Sequence, residues 1–305
     1  MLDVLSDHTF RTVCLGTALI GATAGAIGSF SYLRRQALIG DVVSHASLLG
    51  IVGAFAISAL VGETGSKSFA VLIPGALIAG IAALLLTRAI TERTRLKQDA
   101  ALGVMLAVFF GTAILLLRVV QRSPHMTGHA GLEDYVFGLA AALTQADLML
   151  ISVLGMLAIA VMILVWGPLK LHTFDSAFAH SLGFSTKSVD TILVVLQVTA
   201  IVIGIHAVGV VLMIALLVTP AAAARQWARS LRGMVLLGAV FGALSGAAGS
   251  LLSAVVRRAP TGPMIVLVAT AIFVVSLLFA PRRGILARYR ARRRRQRSLL
   301  EAGGV

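Results

Sequence analysis

Cysteine and charge are the scarcest features of this sequence. Cys14 is the one cysteine in 305 residues. With no second thiol, no intramolecular disulfide and no thiolate metal cluster can form, and Cys14 reads as a small core residue. Charged residues make up 12%, about half the roughly 25% of a soluble domain. No Gly-x-x-x-x-Gly-Lys-Ser/Thr loop is present. Gly62 to Ser68 comes nearest and is interrupted by Ser66, so any ATP hydrolysis belongs to another chain. His-Glu-x-x-His is absent too, which excludes an intramembrane metalloprotease of that type. No nucleophile–base set stands out, and no basic leader with a small-residue cleavage site precedes the first apolar run.

What the sequence has is apolar length. Apolar residues are 58% of the chain, about 177 residues, and nine membrane crossings need roughly 180. A soluble enzyme, a disulfide scaffold and a disordered chain are excluded by that excess. A transmembrane barrel would show alternating ten-residue runs, which do not dominate. The expected fold is therefore all-α: a polytopic membrane protein of about nine transmembrane helices, with eight as the alternative. Candidate spans lie at about 12–33, 37–60, 68–90, 100–120, 146–166, 188–204, 206–224, 233–256 and 262–280. The stretch 188–224 is too long for one crossing, and Gly204 and Gly209 near its middle point to a hairpin.

Charge orients the spans. The net charge of +14 would suggest nucleic acid in a soluble protein. Here the basic residues sit in short loops and one tail. With the N-terminus outside, 20 Lys and Arg fall on the cytoplasmic side and 6 on the other. The inner group holds Arg34, Arg35, Arg88, Arg93, Arg95 and Lys97, the 170–187 loop, Arg225, Arg229 and Arg232, and a C-terminal group from Arg282 to Arg297. That asymmetry satisfies the positive-inside rule with nine spans and a cytoplasmic C-terminus. The Arg292–Arg295 run reads as an anchor near anionic lipid. Gly238, Gly242 and Gly246 recur at four-residue steps, as do Gly21 and Gly25, which is the pattern of close helix packing in lipid.

Ionisable groups at bilayer depth mark pathways or sites, because burying them is costly. Asp41 and His45 lie in the second span, one helical turn apart, with Ser44 beside them. Counted from Arg35, they sit about 9 and 15 Å into the slab. A carboxylate and an imidazole make half of a divalent-cation site, and two copies facing each other would complete it. An Asp–His hydrogen bond that merely ties helices together and a proton relay are the competing readings. His206 is a weaker gate or ligand candidate at the outer end of the seventh span. His125 and His129 fall in an outer loop as a solvated pair, and His172 and His180 flank an inner loop with no chemistry assigned.

Several segments in order resemble the permease subunits of bacterial manganese/zinc/iron ABC importers. They are Gly28-Ser29-Phe30, Leu33-Arg34-Arg35, Leu38-Ile39-Gly40-Asp41 through Ser44-His45-Ala46, and Lys97-Gln98-Asp99 through Gly103. Leu132-Glu133-Asp134-Tyr135-Val136-Phe137-Gly138 and Phe174-Asp175 with Ala179 and Leu182-Gly183 follow. Ala207 to Val210, Ala215 to Ala223, Thr261-Gly262-Pro263 and Phe279 to Gly284 complete the series. The likeness covers about residues 10–287 and leaves out the basic tail. It implies a non-enzymatic transport subunit of the bacterial inner membrane, with a permease domain at 1–287, a coupling loop at 170–187 and a tail at 288–305. It also implies a permease homodimer or heterodimer, cytoplasmic ATP-binding subunits, an extracytoplasmic metal-binding protein, lipid contact and no nucleic-acid partner. No cofactor is expected to be permanently bound; manganese, zinc or iron is the cargo. By position, Asp41 and His45 match the family's metal path. Phe174, Asp175, Ala179, Leu182 and Gly183 match the helix that couples to the ATPase. A proton-coupled secondary transporter and a siderophore or cobalamin permease are the alternatives.

Overall fold

A computed structural model describes residues 8–34, 36–61, 68–123, 138, 140, 143–256, 259–281, 284–287 and 289. His125, His129 and the Arg292–Arg295 run lie outside them. The described residues form eleven helices and no strand: α1 His8–Leu33, α2 Ala37–Val61, α3 Phe69–Arg93, α4 Gln98–Arg122, α5 Gln145–Leu164, α6 Trp166–Phe174, α7 Ser176–Ser181, α8 Thr186–Val208, α9 Val210–Trp227, α10 Leu231–Val255 and α11 Thr261–Phe279. Helices are what such a sequence must form in hydrocarbon, where every backbone N–H and C=O needs an internal partner. Pro74 and Pro220 are accommodated inside α3 and α9 for the same reason: neighbouring helices shield the freed carbonyls. Polar caps appear where helices emerge. Thr144 and Asp147 form a reciprocal capping box on α5, while Ser185 and Ser230 cap α8 and α10.

Eight of these helices are long and apolar enough to cross a membrane: α1 to α5, α8, α10 and α11. The ninth apolar segment is shorter, at Leu212–Trp227 within α9. It nevertheless returns the chain across the bundle. Arg34 binds Asp190 near the start of α8, and Gly25 packs on Gly238 near the start of α10. Residues 34, 190 and 231 therefore share one end, so the chain leaves that end along α8 and returns along α9. In an unbroken helix Gly204 and Met213 would be about 13 Å apart, yet the Met213 sulfur lies against Gly204. The reversal sits at Gly209, whose φ of +92° favours glycine, and Gly138 packs against the same turn. The expected boundary at 204–206 is thus corrected: the helix runs on through Gly204 and His206 to Val208.

Helix α1 is the central post. Ile20, Ala24, Ile27 and Phe30 are fully enclosed, and Phe30 meets Trp166 edge-on with ring centroids 5.8 Å apart. Its seam with α10 is built from backbone. A Cβ on Gly21 would meet the Gly242 carbonyl, one on Gly25 the Gly238 carbonyl, and one on Gly246 the Thr17 carbonyl. Thr17 and Ser250 hydroxyls close the seam at 2.8 Å. Gly50 and Gly75 make a second such crossing between α2 and α3. Lipid tails are as apolar as leucine, so close dispersion contact rather than water exclusion holds these helices together. The perimeter is correspondingly greasy, with Val61 86% and Leu164 84% exposed.

Gly21→Leu would force α1 and α10 apart and is expected to cost about 3 kcal/mol, read as a lower melting midpoint of the detergent-solubilised chain. Gly103→Ala places its methyl where nothing lies within 4 Å and should leave the midpoint within about 0.5 kcal/mol of the parent. Equal midpoints would contradict the seam's role.

Candidate functional site

Helix α2 is clasped on most of its circumference. Gly40 faces Ile214 and Leu217 of α9, each 3.6 Å from where a Cβ would stand. Val43 and Ser47 press on Gly80 of α3, beside Val198 of α8. Val42, Val43, Ser44, Ala46, Ser47 and Leu48 are all buried. Asp41 and His45 are less so: both are partly exposed. Leu38, one turn before Asp41 on the same face, is exposed, whereas Leu48 and Val52 further along that face are buried. The single chain thus covers only in part the face of α2 that carries an acid and an imidazole.

Within that face the two groups lie in electrostatic reach of one another. The His45 ring stands edge-on to Phe110 of α4, with centroids 4.6 Å apart and planes at 65°. Its Nδ1 is buried without a hydrogen-bond partner among the described residues, as is the Ser44 hydroxyl. Almost every buried polar atom in a folded protein is paired, so two orphans beside an acid call for a partner beyond the described residues. No group of three or more His, Cys, Asp or Glu that could hold a metal exists among the described residues. Asp41 and His45 thus present one oxygen and one nitrogen donor side by side. His206 is in the last turn of α8, at the hairpin, rather than opening the next helix; its side chain lies outside the described residues.

The 170–187 segment forms two short helices. Asp175 ends α6 and caps α7, its carboxylate accepting from Phe178 N–H at 2.9 Å. Ala179 is buried at 1% exposure, whereas Phe174, Phe178 and Leu182 are more than half exposed. Gly183 turns the chain with φ +86°, a conformation that side chains resist. The result is a capped helical knuckle with apolar side chains outward. His172 escaped functional notice in the sequence because its partner, Asp190, is 18 residues away and on another helix.

The comparisons agree with this geometry. The model of the family described as "ABC 3 transport family" matches residues 6–280. The zinc transport system membrane protein TroC of Treponema pallidum is 44% identical over 304 residues, covering 100% of this chain and 99% of the relative. The manganese transport system membrane protein MntC of Bacillus subtilis is 39% identical over 297 residues, covering 96% of this chain and 67% of the relative. Among solved structures, PsaBC from Streptococcus pneumoniae in complex with Fab superposes with a TM-score of 0.80 at 27% identity, covering 92% of this chain and 95% of that one.

Asp175→Ala removes the cap of α7 and should cost that helix about 1 kcal/mol. Hydrogen exchange of the amides at 176–181 is then expected to speed up about fivefold. Unchanged protection would show that the cap does not hold the knuckle.

Proposed function

The chain belongs to the ABC 3 transport family, and from that premise we propose that it is the membrane-spanning permease subunit of an ATP-driven importer of a divalent transition metal, zinc or manganese. The observation that carries this reading is the partly exposed Asp41–His45 pair amid the buried Val42, Val43, Ser44 and Ala46. A second permease chain, a copy or a close relative, covers that face and supplies the matching pair. Two oxygens and two nitrogens suit a bare zinc or manganese ion. The zinc and manganese in the names of TroC and MntC favour those two over iron, although the donor set alone would serve all three.

The remaining assignments follow from this reading. The N-terminus faces outward and the C-terminus the cytoplasm of a bacterial inner membrane. Residues 1–287 are the permease domain, and the basic 288–305 tail rests on anionic lipid. The 170–187 segment meets a cytoplasmic ATP-binding subunit, with Phe174 and Leu182 presented to it on the knuckle that Asp175, Ala179 and Gly183 shape. An extracytoplasmic metal-binding protein delivers the ion to the opposite face. Closure of the ATPase pair moves the knuckle, the spans reorient, and the ion passes from Asp41 and His45 to the cytoplasm. Two ligands per chain hold a dication firmly enough to repay the burial of the carboxylate and loosely enough to release it. His206 is a lesser candidate for a gate at the outer turn. The close contacts of Gly238, Gly242 and Gly246 keep α1 and α10 moving as one body.

Reconstitution of the full complex in proteoliposomes tests the proposal. Asp41→Ala and His45→Ala are each expected to lower ATP-driven uptake of 65Zn or 54Mn about 100-fold, since even outer-shell partners of a metal are worth 10–100-fold. Uptake equal to that of the unmodified complex would overturn the site. Uptake by the permease alone, driven by a proton gradient, would overturn the ATP-driven reading in favour of a secondary transporter.

A further inference from the structure

Three polar side chains from separate helices meet where α1 ends. Arg34 Nη1 donates to Asp190 Oδ1 at 2.6 Å, and His172 Nε2 lies 2.9 Å from the same oxygen. Arg34 directly follows α1, His172 stands in the last turn of α6, and Asp190 stands in the second turn of α8. Two turns further along the same face of α8, Gln197 donates to the Ser31 hydroxyl at 2.6 Å. Helix α8 is thus fastened twice to the last turn of α1, and α6 is fastened to that junction by His172.

Stability alone does not account for the cluster. The Arg34 and Asp190 side chains are only part-buried, 17% and 34% exposed, and ion pairs open to water contribute little to stability. What a bridged ion pair adds is a fixed geometry among three elements. The position of those elements matters. Helix α6 runs through Asp175 into the exposed knuckle α7. Arg34 leads into a short turn in which Gln36 N–H donates to Ser31 C=O at 3.0 Å and Ile39 N–H to Gln36 C=O at 3.2 Å. Asp41 follows two residues later. Beside the cluster lies an open cavity of about 690 Å³, reached by Phe174 and His180 of the knuckle segment and by Arg34, His172 and Asp190 themselves. The knuckle therefore has room to move, and His172 is its polar attachment to the bundle, beside the apolar contacts of Trp166 with Phe30 and of the buried Leu169.

We propose that Arg34, Asp190 and His172 form the linkage that carries displacement of the α6–α7 segment to the turn preceding the Asp41-bearing helix. These are positioning residues: they touch neither ion nor nucleotide. The inference rests on the permease reading and adds to it the route by which movement at one end reaches the metal-binding face.

The test is the ATP hydrolysed per ion imported by the full complex in proteoliposomes, with zinc or manganese supplied as the chloride. Asp190→Asn keeps the shape and removes the charge. It is expected to raise the ATP-to-ion ratio about fivefold, within the range by which residues along a coupled network alter coupling, while ATP hydrolysis itself continues. Asp190→Glu, which retains the acceptor, should restore the ratio to within twofold of the parent. His172→Ala leaves the Arg34–Asp190 pair intact and gives an independent reading: it too should raise the ratio, and it decides the matter if Asp190→Asn fails to assemble. An unchanged ratio in the assembled variants, with uptake and hydrolysis falling together or not at all, would overturn the linkage while leaving the permease reading in place. An unmodified complex that moves neither ion with ATP would overturn the permease reading and the linkage with it.

Discussion

Backbone meeting backbone is the contact on which this molecule is built. In hydrocarbon there is no water to expel, so two helices gain by associating only as far as their atoms come into dispersion contact. Gly21 against Gly242 and Gly25 against Gly238 bring α1 and α10 together with no side chain between them. Gly28 against the Leu217 carbonyl adds α9 to the same core, and Gly50 against Gly75 locks α2 to α3. Once those pairs are fixed, the remaining helices have few places to go. The segments following Leu33, Phe174 and Trp227 gather at one end, and Gly40 settles α2 against α9.

That arrangement explains why a costly pair of side chains is tolerated. Asp41 and His45 are spared complete burial because the helices of the same chain cover their face only in part, with Phe110 of α4 against the His45 ring. A partly exposed polar face is a poor lipid contact, and on the proposed reading it lines a conduit shared between two chains. The orphaned Nδ1 of His45 and hydroxyl of Ser44 belong to the same logic: unsatisfied polar atoms are retained where something other than stability is being selected.

Much of this was legible in the sequence, for particular reasons. Asp41 and His45 stood out because any ionisable residue is conspicuous among isoleucine, valine and alanine, and four-residue spacing is unambiguous on a helix. The hairpin between α8 and α9 was legible through charge, since only an even number of crossings between Asp190 and Arg229 keeps the basic residues on one side. Its turning point was not: Gly204 and Gly209 look equivalent as letters, and only the positive φ at Gly209 and the contact of Gly204 with Met213 tell them apart. The glycine steps at 238, 242 and 246 announced close packing without naming a partner, because such a face fits any other small-residue face. Arg34 and Asp190, 156 residues apart, share no local pattern at all. His172 lay beyond reach for the same reason.

Pulsed EPR of Mn2+ bound to the assembled transport complex gives the most direct look at the ion's ligands. Modulation from imidazole 14N nuclei is expected in the unmodified complex and should vanish in His45→Gln, leaving only oxygen donors around the ion. Imidazole modulation that persists in His45→Gln, or an ion coordinated by oxygen alone in the unmodified complex, would contradict a metal path through the Asp41–His45 face of α2.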